Sequence, residues 1–315
     1  MATLPKFAFH NGEIKPYHEA SVGLLTHALH YGTSVFGGLR GYWNEDEAQM
    51  FVFRPWDHFK RFKNSAKLLM IDVPYEIDFL VEQTLALVRN EGYQQDCYIR
   101  PLAYKSGEVI GVRLHGIESS VAIVTIPFGR YVSAEEGAHA TFSSWRRIDD
   151  NMIPARGKVG GAYVNSAFIK TDAELSGYDE GLVLTQDGHL SEGSAENVFM
   201  IRNGVAVTPP ITDNILEGIT RRTLMHMLRE DLGMEVVERK IDRTEVYLAE
   251  ELFFCGTGVQ IVSITKVDHR PIGTGQMGPV VAQLRDLYFN TVRGKVAKYR
   301  DWCAPVYVQE PTPGD

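Results

Sequence analysis

The chain has 315 residues, 44% hydrophobic and 23% charged, a globular composition with length for about two domains. Its net charge of -8 excludes the basic stripe that a nucleic-acid partner needs. Three cysteines without CxxC spacing, no signal-peptide pattern and no membrane-length apolar run exclude a disulfide framework, a cysteine zinc site and a membrane span, so a reducing cytoplasm is expected.

Residues 6–20 read as a hairpin about Asn11-Gly12, a dipeptide suited to a two-residue turn. Gln49 to Arg54 forms a short strand before Pro55, which can open a helix because its missing N–H is not needed there. Ile77, Leu80, Val81, Leu85 and Val88 recur at helical spacing and predict a helix over 76–90. Strands follow at 96–105 and 119–127. The Gly- and Pro-containing stretch 127–138 reads as a connector, separating a small N-terminal domain, 1–126, from a C-terminal domain, 139–315.

The second half resumes with a strand over 139–145 and a helix over 162–176. Asp187-Gly188 and Asn203-Gly204 mark hairpin turns, and Pro209-Pro210 closes that stretch. A helix begins at Gly218, with Leu224, Met227 and Leu228 on one face. Strands at 234–240, 251–256 and 259–267 precede a last helix over 278–293, and the tail from Cys303 reads as loosely ordered. The pattern is that of an α+β protein.

Several common sites are absent. No GxGxxG follows a predicted strand, and GxxxxGK[ST], HExxH and GxSxG do not occur. His27 and His30 lack a third ligand at metal spacing and read as a helix-surface pair, so no metal is expected.

Three segments of the second half carry chemistry together. Lys158 stands on a glycine-flanked loop, Arg156-Gly-Lys158-Val-Gly160-Gly161-Ala-Tyr163, where a lowered pKa would make its amine a carbonyl nucleophile. Ser191-Glu192-Gly193-Ser194-Ala195-Glu196-Asn197 sets two carboxylates before an apolar strand. Gly218 precedes a helix whose first amides, at Ile219 and Thr220, form a phosphate site. An amine, an anion-binding helix terminus and a carboxylate are the partners that pyridoxal 5′-phosphate (PLP) requires.

These segments resemble the class IV aminotransferases, and within them the branched-chain aminotransferases. Glu192, Ser194, Asn197, Val198, Phe199, Thr208, Leu216, Gly218, Ile219 and Arg221 follow the family signature, with Ala206 in place of a larger aliphatic residue. Cys255-Gly256-Thr257-Gly258 matches as well. So do the first-half stretches from His27 to Arg40, Phe59 to Phe62 and Tyr98 to Pro101.

The resemblance implies a two-domain α+β protein of PLP fold type IV, with a small α/β domain and a larger β-barrel-like α/β domain. It also implies transfer of the amino group of L-leucine, L-isoleucine or L-valine to 2-oxoglutarate. Lys158 is implied as the Schiff-base lysine and proton carrier, Glu192 as the ring-nitrogen partner and Tyr163 as the phenolate-oxygen partner. Arg61, Ile219, Thr220 and Thr257 are implied at the phosphate. Tyr31, Phe36, Val109, Phe128 and Tyr131 are implied as pocket walls, with Arg40 in the same substrate-binding set. Tyr98 and the Thr257-Gly258 amides would take the α-carboxylate, and Arg100 the second carboxylate of glutamate.

Amino acids and 2-oxo acids are the implied small-molecule partners. A second copy of the chain would complete the pocket as a homodimer, with Val109 and Tyr131 reaching across. Gly37, Ala162 and Val259 depart from residues common in the subgroup, and side activity on (R)-primary amines is a consequent expectation. D-amino-acid transaminase, (R)-amine transaminase, aminodeoxychorismate lyase and a non-catalytic scaffold are the alternatives on this fold.

Overall fold

The structure, a computed structural model, describes residues 4–129 and 137–307. Two compact units emerge, Met1–Gly129 with Phe289–Asp315, and Arg130–Tyr288.

In the first unit, β1 (Phe7–His10) and β2 (Glu13–Pro16) pair across Asn11 and Gly12, with φ of 50° and 102°. Positive φ at both positions is what a two-residue type I′ turn requires. A short helix α1 (His27–Tyr31) leads into β3 (Ser34–Phe36), β4 (Leu39–Asn44) and β5 (Gln49–Phe53). Pro55 opens α2 (Pro55–Leu68), as its sequence position suggests. Helix α3 (Ile77–Glu91) buries Leu80, Val81, Leu87 and Val88 and stops at Gly92 in the left-handed region. Strands β6 (Cys97–Lys105) and β7 (Ser119–Pro127) pair antiparallel along their whole length.

In the second unit, β8 (Ala138–Arg146), α4 (Tyr163–Leu175) and β9 (Glu180–Leu184) form a parallel crossover. They are followed by β10 (Leu190–Glu192), β11 (Asn197–Arg202), β12 (Val205–Thr208), α5 (Ile219–Glu230) and β13 (Val236–Glu238). Then come α6 (Arg243–Val246), β14 (Glu251–Gly256), β15 (Gln260–Val267), β16 (Arg270–Pro271) and α7 (Pro279–Val292). Among the described residues these strands make a nine-stranded mixed sheet, in the order β10-β9-β8-β15-β14-β11-β12-β13 with β16 beside β15. Leu182, Val198, Met200, Leu252, Phe254, Val262 and Ile264 pack into its core. Phe199 and Phe253 stack on the other side of β11 and β14, so side chains on both sides of those strands are buried.

The chain then returns to the first unit, where β17 (Cys303–Pro305) pairs antiparallel with β5. Among the described residues the first sheet has eight strands, in the order β17-β5-β4-β6-β7-β1-β2, with β3 paired to β6.

The mixture of strands and helices agrees with the α+β class, and the structure corrects three expectations. Residues from Phe289 onward belong to the first unit, not to the C-terminal domain. The tail is ordered as far as it is described: Cys303, Ala304 and Val306 are buried along β5, and Pro305 sits on an edge strand, where a missing N–H is tolerated. His27 is buried rather than on a helix surface, because both ring nitrogens have internal partners. The connector 127–138 is described only at its ends, and Tyr131 lies outside the described residues.

Candidate active site

Strand β8 ends, the Lys158 loop begins and Leu216 approaches at one small cavity of the second unit. Arg147, Pro154, Gly157, Lys158, Tyr163 and Leu216 are among its lining residues. The ε-amine of Lys158 donates a short hydrogen bond to the hydroxyl of Tyr163, the first residue of α4. The two lie five positions apart in sequence, and the intervening turn folds them onto each other.

Glu192 is the last residue of β10 and is buried. Arg147 lies 2.8 Å from its Oε1. Its Oε2 accepts from the Asn197 side-chain amide and from the Leu216 backbone amide, each at 3.1 Å. Burial pushes the Glu192 carboxyl above its ordinary value, and Arg147 and the Leu216 amide oppose that push.

Asn197 links this carboxylate to the start of α5. Its side-chain amide also donates to the Leu216 carbonyl at 2.9 Å. A Cβ at Gly218, the residue capping α5, would lie 2.1 Å from Asn197 Oδ1, so the close approach requires glycine. Beyond Gly218, the Ile219 and Thr220 amides lie in the first helical turn, where N–H groups have no intrahelical acceptor. Thr257 and Gly258 occupy the turn between β14 and β15, closed by the Gly256–Gln260 pair.

An amine beside a phenol, an anchored carboxylate and a helix start that presents its first-turn amides all belong to one unit. They fit an aldehyde-bearing cofactor with a ring nitrogen and a phosphate. Arg147 was missed from sequence. It stands 45 positions before Glu192 in no motif, and its place just after a predicted strand does not single it out.

The first unit brings a second set together. Tyr98 and Arg100 are on β6, Phe36 on β3, Arg40 on β4, and Phe128 just after β7. Arg100 lies 4.6 Å from the Phe36 ring centre and donates to the Tyr98 hydroxyl at 3.2 Å. The Tyr98 and Phe128 rings are 5.3 Å apart. Arg40 is buried and donates to the Phe128 carbonyl at 2.9 Å and to the Gly129 carbonyl, so it holds the end of β7. Gly37 faces Pro101, whose ring would lie 3.2 Å from an added Cβ, and Val259 joins the second unit's core. Tyr31 ends α1, Val109 is exposed between β6 and β7, and Arg61 lies on α2.

Comparison with known proteins matches residues 35–267 to the model of the amino-transferase class IV family. A probable branched-chain-amino-acid aminotransferase of Aquifex aeolicus is 44% identical over 96% of this chain and 97% of its own. The branched-chain aminotransferase of Thermoproteus uzoniensis, solved with norvaline, superposes with a TM-score of 0.92 at 41% identity, covering 96% of this chain and all of that one. The branched-chain amino acid aminotransferase of Thermobaculum terrenum, solved in its PLP form, gives 0.93 at 39% identity, covering 97% of this chain and 99% of that one.

Proposed function

The chain belongs to the class IV aminotransferases, and from that premise we propose that it moves the amino group of L-leucine, L-isoleucine and L-valine to 2-oxoglutarate. Pyridoxal 5′-phosphate is the cofactor. The observation that carries this reading is the Lys158–Tyr163 contact at a cavity that Arg147, the partner of Glu192, also lines.

When bound, the cofactor supplies an aldehyde to take the amino group and a ring to accept electrons. Lys158 would hold the aldehyde carbon through its amine, and the same amine would move the proton at the substrate Cα. The Tyr163 hydroxyl orients that amine and holds the ring's phenolate oxygen. Glu192, with Arg147 beside it, keeps the ring nitrogen protonated. Ile219, Thr220 and Thr257 would offer the phosphate their backbone amides.

In the first unit, the aromatic surfaces of Phe36, Tyr98 and Phe128 suit an apolar side chain, and Arg100 suits the second carboxylate of glutamate. A buried carboxylate without such a cation would be costly. In the second unit, the Thr257-Gly258 amides suit the α-carboxylate.

The molecule acts as a homodimer in the cytoplasm. The segments holding Leu24, Leu29, Ile110 and Val112 are joined by the Thr26–Glu108 bridge and expose these side chains, Leu24 at 84%. An apolar surface of this kind marks an interface. Cys97, Cys255 and Cys303 are buried thiols, which suits a reducing compartment.

Reconstituted with PLP and given L-leucine and 2-oxoglutarate, the protein should form L-glutamate. Product only from D-alanine, or only from (R)-1-phenylethylamine with pyruvate, would move the activity to another member of the family.

A further inference from the structure

The imidazole of His27 is buried at the start of α1, six residues before Thr33 and far in sequence from Gly111, and it touches both. Its Nε2 lies 2.7 Å from the Gly111 carbonyl oxygen, which can only accept, so Nε2 carries the proton. In the neutral ring Nδ1 then accepts from the Thr33 hydroxyl, also at 2.7 Å. The Gly111 N–H in turn donates to the Tyr31 hydroxyl at 3.0 Å. The His27 and Tyr31 rings are 4.7 Å apart, and the His27 backbone amide donates to the Gly107 carbonyl. Gly111 itself has φ of 141°, a conformation that favours glycine.

We propose that His27 is a positioning residue for the substrate pocket, acting through Gly111 on Tyr31; this rests on the reading of Tyr31 as a pocket wall. Both backbone groups of Gly111 are engaged, the carbonyl by His27 and the N–H by Tyr31, so the 107–112 loop and the tyrosine are held as one piece. Because the Tyr31 oxygen already accepts from Gly111, its hydroxyl hydrogen remains to be donated elsewhere. Only a side chain with a donor at its far edge can hold this loop from the position of His27.

Steady-state kinetics of the PLP-loaded enzyme with L-leucine test this in His27→Gln, His27→Asn and His27→Ala. Glutamine carries an N–H as far out as Nε2 and keeps the Gly111 bond. Asparagine reaches only the place of Nδ1 and keeps the Thr33 contact alone. The expected result is a KM for L-leucine raised about tenfold in Asn and Ala, near wild type in Gln, with kcat and the cofactor's absorbance spectrum unchanged. In a Tyr31→Phe background the Asn substitution should add little, because the oxygen it acts through is gone. Equal KM values for Gln and Asn, an unchanged KM in Ala, or full additivity with Tyr31→Phe would overturn the proposal. If Ala fails to fold, Gln against Asn still decides it. A wild type inactive on L-leucine would instead overturn the substrate reading, and the series would be run with the amine that the wild type accepts.

Discussion

Arg147 reaches the Glu192 carboxylate at 2.8 Å with both side chains buried, across 45 positions of sequence. Glu192→Ala would leave the arginine charge without its partner, a loss of about 3–5 kcal/mol in stability that would confuse any reading of activity. Glu192→Gln keeps an acceptor in place and removes the charge. Its expected effect is a folded protein that binds PLP, with kcat lowered by about two to three orders of magnitude, the scale for losing one preorganised electrostatic partner. Stopped-flow turnover alongside a melting curve checks this; wild-type kcat would remove Glu192 from the ring nitrogen.

Gly218→Ala places a methyl group against Asn197 Oδ1, at 2.1 Å if nothing moves. Asn197 is tied to Glu192 and Leu216, so its amide cannot retreat without loosening both. The backbone at Gly218, with φ of -69°, tolerates alanine, so the fold should survive. PLP titration should show affinity weakened by about tenfold or more. Unchanged affinity would mean that the start of α5 is not the phosphate site.

Arg100→Met keeps an apolar stem against Phe36 and removes the cation. KM for L-glutamate should rise about 10- to 100-fold, the scale of one charged hydrogen bond, while L-leucine is nearly unaffected. Equal effects on both substrates in steady-state assays would argue that Arg100 supports the sheet instead.

Glu196 is buried, and burial first, then Glu180, push its carboxyl up to about 8 from 4.5. Ala195 N–H donates to it at 3.0 Å, while Lys170 and Glu192 are the other charges that act on it. A raised folded pKa means that the native state keeps a proton which the unfolded chain has lost. Its stabilising contribution is therefore whole below about 4.5 and is lost as pH rises through about 8. Glu196→Gln should flatten the fall in melting temperature across that window, and a parallel curve would contradict the assignment.

Local chemistry was legible wherever one short segment decided it. The Asn11-Gly12 turn, Pro55, and the Leu224-Met227-Leu228 face each specify backbone geometry within a few residues. Lys158, Glu192 and Gly218 were legible only as a set, since each alone is an ordinary loop lysine, turn acid or helix cap. What escaped were pairings over long separations. Arg147 meets Glu192 through a parallel crossover, Cys303 meets Phe53 across most of the chain, and His27 at the start of α1 meets Gly111 in the loop after β6. Such contacts follow from topology, which periodicity does not encode.

Lys158 as the residue that holds PLP, in a site that accepts L-leucine, can be read from an absorbance scan of the PLP-loaded protein before and after adding L-leucine, with Lys158→Ala beside it. The wild type should show a visible band that L-leucine converts to a near-ultraviolet one, and Lys158→Ala neither the band nor the conversion. A wild type without the band, or a Lys158→Ala protein that shows the same band and conversion, would contradict it.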